Sequence, residues 1–418
     1  MVAAPTSTDL FLAGTQRLAD PGALWAARLR EENRERFARA GLPAADDEGW
    51  RFTQLKPLRN AQFVFNPDAP REPGGGGLEL GFPAFVLVNG RAQTEPLVGS
   101  GWHAESLASL LCREPGLLES RLGGLADTVR HRFAALNSAY LDDGVVVRVS
   151  AGALARVHLV ISGPEASHAA YPRLLVVIED GAEAVLVEEH MGADGFTCPV
   201  TEAYLGQGAS LNHVRIDRSG EQGIHLGLVA VEQGRDSRYI SNVVALGSRL
   251  LRLDLDVSLA ALGAECVLNG LYVPVGKQHM DHHTRVSHEA PHTQSRELYK
   301  GVLGGKGSAV FNGRIVIREG SMGVDAAQTN NNLLLSNEAL VNTNPELEIF
   351  ADDVKAQHGA TIGQLEEESL FYLRSRGLDL ASARRMLIEA FAGVMIKKIG
   401  LESLEQYLEA ELARRFQG

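Results

Sequence analysis

The chain has 418 residues, of which 45% are hydrophobic and 22% charged, and a net charge of -12 at pH 7. That length allows two or three domains with their own cores, and the composition is that of a globular protein. The acidic balance excludes a nucleic-acid or anionic-membrane surface, which would need a basic face. No apolar run reaches the ~18 residues of a bilayer span. The opening "MVAAPTSTDLFLAGTQRLAD" lacks a basic n-region and a sustained apolar core, so it does not read as a secretory signal. Cys112, Cys198 and Cys266 are far apart and form no CxxC, which fits a reduced, cytoplasmic chain.

Residues 1–141 read as a mainly helical region. Pro21 suits a first helical turn, and "PGALWAARLREENRERFARAGLP" places Trp25, Leu29 and Phe37 at near-helical spacing before Gly41 and Pro43 end it. "AFVLVNGR" is a strand running into an Asn89-Gly90 turn.

From 142 to 364 the texture changes. Runs such as "GVVVRVSAG", "RLLVVIEDG", "AEAVLVEEH" and "SAVFNGRIVIREG" alternate with short turns containing Gly or Asp. Strand, turn, strand over such a length means a large sandwich or barrel, or a solenoid. Scarce Asn-Gly hairpin signals favour a parallel β-helix, of roughly ten coils at about 20 residues each. The Asn-rich "QTNNNLLLSN" suggests side-chain ladders between coils.

Residues 365–418 read as helices again. "DLASARRMLIEAFAGVMIKKIG" puts Ala383, Leu387, Ala390, Phe391 and Val394 on one face, and the last helix carries Leu404, Tyr407, Leu408 and Leu412. These helices either pack back on the strands or hold a partner.

Enzyme signatures are missing. "GVLGGKGSAV" has Gly307 where a P-loop needs its hydroxyl, and no GxGxxG, GxSxG or HExxH occurs. The densest polar cluster is "KQHMDHHTRVSHEAPHTQS". In a strand, His282, Thr284, Val286 and His288 would share one face and His283, Arg285, Ser287 and Glu289 the other. Imidazoles and carboxylates so arranged could bind a metal, and stacked polar residues on a coil surface would look the same. His358, in "IFADDVKAQHGATIG", shares an extended face with Val354 and Ala356 and has no reactive neighbour.

"ELEIFADDVKAQHGATIGQLEEESLFYLRSRGL", with "DHHTRVSH", "VFNGRIVI", "AAQTNNNLLLS" and "DEGWRFTQLKPL", resembles the SufB/SufD family of bacterial iron-sulfur cluster assembly, on its SufD side. The related SufB segment typically has His-Glu where this chain has His358-Gly359, and many SufD proteins have a cysteine where Ala356 stands here. The resemblance implies a right-handed parallel β-helix between helical ends. It implies pairing with a SufB-like paralogue through the β-helix and with a SufC-like ATPase through the C-terminal helices. The isolated chain could form a homodimer. Phe371, Tyr372, Leu373, Arg374 and Phe391 are then candidates for the ATPase surface. The chain alone would bind no cofactor. His358 would be one nitrogen ligand of a nascent iron-sulfur cluster whose thiolates come from the partner. The alternatives are an adaptor without a metal ligand and, more distantly, a β-helix enzyme acting on polysaccharide. The latter needs aromatic platforms and paired carboxylates, and aromatics make up only 6% here.

Overall fold

Between Gly144 and Gly363 the chain winds through eight pairs of strands, and each pair forms one coil. A computed structural model describes residues 7–59, 63–66, 76–192 and 194–416. The first strands of the coils stack into one sheet, from Gly144–Val149 in coil 1 to Leu340–Ile349 in coil 8. The second strands stack into another, from Leu154–Gly163 to Lys355–Gly363. Neighbouring coils pair in parallel throughout. The expected β-helix is present.

The coil count is corrected from about ten to eight. Register offsets run from 26 residues, Ile224 opposite Leu250, to 32, Ser308 opposite Leu340. Most coils carry two long strands, so the repeat exceeds the short-period figure. The Asn ladder also lies elsewhere. Asn269 donates to Asn242 (3.1 Å) and Asn242 to Asn212 (3.0 Å), from coil to coil. In the Asn-rich run, Asn332 donates instead to Asn330 of its own strand (2.7 Å).

Alternation decides what fills the lumen. Inward positions carry Val145, Leu174, Ala203, Val229, Leu253, Met280 and Phe311 from one sheet, and Val157, Leu186, Leu211, Tyr239, Leu268 and Tyr299 from the other, all buried. Two inward glycines make room for large rings. A Cβ on Gly270 would lie 2.1 Å from the Tyr299 ring, and one on Gly301 would lie 2.2 Å from Tyr272.

The two ends of the coil stack differ. At the N-terminal end, Trp102–Ser106 pairs antiparallel with Gly144–Val149, and Ala84–Val88 pairs with Leu154–Gly163. Asn89 and Gly90, both at positive φ, turn Ala84–Val88 back on Arg91–Ala92 as the sequence suggests. The N-terminal region is therefore part helix and part strand. Its helices pack Phe11, Phe37, Leu58, Phe133 and Tyr140 against Tyr171, Phe196 and Cys198 of the coils. At the C-terminal end, Leu340–Ile349 and Lys355–Gly363 each pair on one side only among the described residues.

Three helices follow: Glu367–Ser375, Leu380–Lys397 and Glu402–Arg415. Asp379 caps the second by accepting from the Ser382 amide (2.7 Å). The second and third lie back on the outer face of the second sheet. Ile388, Ala392, Met395, Ile396, Leu404, Leu408 and Leu412 bury against Val214, Val244, Leu271 and Val302. The buried face of Leu380–Lys397 differs from the expected one. Ala383 is buried as expected, but Leu387 and Phe391 are half-buried, and Ala390 and Val394 are exposed. The sheet takes the stripe one position further along the helix.

Candidate functional site

His358 lies in Lys355–Gly363, the outermost strand of the second sheet. It stands opposite Gln328, which stands opposite Glu297 one coil further in. Glu297 and Gln328 are buried inside the lumen, whereas His358, at the open mouth, is exposed. Ala356 is half-buried and packs with Val354 and Leu347 against Ile315, Ile317 and Ala326. Asp352 and Asp353 are exposed in the turn between the last two strands, and Asp353 has φ of 52°. The mouth is flanked by exposed Leu340, Ile349, Phe350 and Ile362. It is thus a pair of free strand edges with apolar side chains and one imidazole, the type of surface that another strand covers.

The structure does not bring His282, His283 and His288 together. All three belong to His279–His288, whose faces alternate as expected. His282 points into the lumen and stacks on Tyr272 (5.1 Å, 23°). His288 is buried between Thr293 Oγ1 (2.7 Å) and Ser295 Oγ (2.9 Å), both ring nitrogens occupied. Burial pushes the pKa of each down to about 4. His283 points outward to Asp281 (3.0 Å). Asp281 also accepts from Thr53 (2.6 Å) and Arg252 (3.1 Å), and Arg252 lies 3.9 Å from the Trp50 ring. The outward face of this strand therefore anchors the N-terminal region. Burial would raise the Asp281 pKa, but His283 and Arg252 hold it well below the usual carboxylate range. No three His, Cys, Asp or Glu side chains among the described residues come together as a metal-binding group.

The two buried cysteines are not poised as thiolates. Cys198 donates to the Phe133 carbonyl (3.3 Å), Cys266 faces the lumen, and burial raises both thiol pKa values. Cys112 is exposed.

Sequence reasoning missed a charged network in the lumen of coils 2 and 3. Glu188 meets His190 (2.5 Å), His213 (3.0 Å), Thr201 (3.1 Å) and Arg215, all buried. Burial alone would raise the Glu188 pKa, but Arg215 and the two histidines hold it well below its usual range. Strict alternation in Glu183–Gly192 puts Glu188 and His190 on the same face as Ala184 and Leu186. That is the signal that could have found them.

Of the residues expected at an ATPase surface, Phe371 is 73% and Tyr372 56% exposed, Leu373 is half-buried and Arg374 is exposed, all on Glu367–Ser375. Phe391 is set apart. Its ring packs beside Lys300 Nζ (4.4 Å), which also donates to the Phe391 carbonyl (3.1 Å).

Residues 159–391, more than half the chain, match the family described as the SUF system FeS cluster assembly, SufBD core domain. This chain belongs to the SufBD family. Among its relatives is the iron-sulfur cluster assembly protein SufD of Escherichia coli, 30% identical over 93% of this chain and 92% of that one. A SufBD family protein of Synechocystis, slr0076, is 33% identical over 87% of this chain and 85% of that one. The chloroplastic protein ABCI7 of Arabidopsis thaliana is 28% identical over 89% and 82%. The SufBD core match begins within coil 1 and ends within Leu380–Lys397, so it takes in the mouth, His358 and Phe371. Among the described residues, no helix is long and apolar enough to cross a membrane.

Proposed function

We propose that this chain is the SufD-type, non-catalytic subunit of a cytoplasmic cluster-assembly complex. It pairs through coil 8 with a SufB-like paralogue and holds a SufC-like ATPase on Glu367–Ser375. His358 contributes one nitrogen ligand to a nascent iron-sulfur cluster, the cargo of the complex. The observation that carries this reading is the open mouth. Two strand edges lack partners on one side among the described residues, and an exposed imidazole stands on one of them. Iron-sulfur clusters are held mainly by thiolates with histidine as an occasional substitute. With Ala356 beside His358, the thiolates come from the paralogue.

Exposed apolar Phe371 and Tyr372 support the second contact, because the other two C-terminal helices already bury their stripes on the sheet. The test is co-expression of this chain with a SufB-like and a SufC-like protein, followed by purification through a tag on this chain. A complex of all three supports the reading. A chain that purifies as a homodimer in the presence of both contradicts it.

A further inference from the structure

The lumen has two polar stretches, and they differ. In coils 2 and 3, Glu188, His190, His213 and Arg215 are largely taken up with one another, with His190 Nδ1 left over. In coils 6 to 8, where His288 is fully bonded, several other polar atoms are left over. Among the described residues, His282 Nδ1 and Nε2, Thr284 Oγ1, Glu297 Oε1 and Gln328 Oε1 have no hydrogen-bond partner, and Thr343 Oγ1 joins them nearer the mouth. His282, Thr284, Glu297 and Gln328 are all 4% exposed or less.

The register gathers these side chains. Glu297, Gln328 and His358 form one file, and His282, Phe311 and Thr343 form a file on the facing sheet. Gly313 opposes Thr284, and a Cβ there would lie 1.9 Å from Gln328 Nε2, so the missing side chain is what admits the Gln328 amide. That amide donates to Glu297 Oε2 (2.5 Å) and leaves its own carbonyl unused. Thr284 is close enough to favour the charged form of Glu297, yet their atoms make no hydrogen bond of ordinary geometry.

Each unpaired buried polar atom carries the cost of losing its water without replacement. Several together would consume much of a domain's stability, so buried groups of this type are normally met by ordered water. The set mixes donors and acceptors, which suits water. We propose that the lumen of coils 6 to 8 holds bound water continuous with the open mouth, and that Glu297 exchanges its proton with the mouth through it. The proton leaves Glu297 Oε1 for water, and the carboxylate that remains keeps the Gln328 amide as donor. Neutral His282 can accept a proton at one ring nitrogen as it releases one from the other.

Burial raises the Glu297 pKa to about 7, against the pull of Thr284 and Gln328. Its titratable neighbours are Cys266 and Tyr299 on its own sheet, and His282 on the facing one packs beside Tyr299 (5.8 Å between ring centroids). Burial favours the neutral form of all three. Only a link from this exchange to cluster building rests on the function proposed above.

Infrared difference spectra of the full chain, wild type minus Glu297→Gln, test the exchange. The expected result is a protonated-carboxyl band that shifts within minutes of transfer to D2O under native conditions and fades as pH rises through about 7. A band that keeps its proton until the chain unfolds overturns the proposal, as does the absence of such a band at pH 6. A high-resolution crystal structure of the unaltered chain gives a second test without a variant. Water bonded to at least two of His282, Thr284, Glu297 and Gln328 is expected, and a dry lumen overturns the proposal. His358→Ala should leave the band and its exchange intact, so this inference and the cluster-ligand reading can fail separately.

Discussion

Gln328 and His358 stand opposite each other on adjacent parallel strands, yet Gln328 is 1% exposed and His358 faces solvent. One coil carries the same file from core to rim. The burial of Gln328 depends on the strand that covers it, and Lys355–Gly363 has no such strand on its outer side among the described residues.

Charge placed on the edge should block pairing without harming the fold. Ile362 is 51% exposed, so Ile362→Asp should change stability by no more than about 0.5 kcal/mol. It should also weaken co-purification of the SufB-like paralogue at least tenfold. Circular dichroism and pull-down check the two halves. Undiminished pairing would place the paralogue elsewhere.

The C-terminal helices should separate into a docking element and a structural one. Phe371→Ala with Tyr372→Ala should lower binding of the SufC-like ATPase and leave the melting temperature unchanged, because both side chains are exposed. Ile396→Ala, in the buried stripe against the second sheet, should cost about 2–5 kcal/mol. Calorimetry and ATPase pull-down on the same variants tell them apart. Deleting Leu380–Arg415 should cause aggregation, since it would uncover Val244, Leu271 and Val302.

Much of the architecture was legible. The β-helix followed from alternation and from the scarcity of hairpin turns. The coil length did not, because it counts two strands and two turns, and inward positions vary from Val to Gly to Tyr with no consensus to count. The stripe of Leu380–Lys397 was misplaced by one position because helical periodicity fixes a face only to within a residue. The sheet chose Ile388, Ala392 and Ile396. His282 and His283 were legible as facing opposite ways. Asp281 shares the outward face of His283 two residues away, whereas Tyr272, the partner of His282, depends on coil stacking that spacing alone does not give.

Asp281 should behave as the acid-sensitive anchor of the N-terminal region. Its folded pKa is depressed, so its contribution is present above pH ~4 and lost as pH falls further. Asp281→Ala should cost about 3 kcal/mol at pH 7, because Arg252 and Thr53 lose a buried partner. The gap between wild type and variant should close as pH falls below ~4. Urea titrations at several pH values measure it, and hydrogen exchange over residues 48–53 should rise in the variant.

Gly301→Ala should damage the lumen out of proportion to its size. The new Cβ would lie 2.2 Å from Tyr272 and 2.5 Å from Asn332 Oδ1, the two groups that share a 2.5 Å hydrogen bond. Overpacking of this type costs about 1–3 kcal/mol. A urea midpoint equal to that of wild type would show that the lumen yields more easily than its contacts suggest.

The central claim is that His358 holds iron at the mouth, and the most direct measurement is the iron and sulfide content of the purified three-protein complex with His358→Ala. Its ring is exposed, so alanine removes little packing and should leave assembly and ATP hydrolysis largely intact. Ala356 brings no thiol to take over as ligand. The account predicts an assembled complex in which both iron and sulfide are clearly reduced. An assembled complex carrying the full complement of both would contradict it.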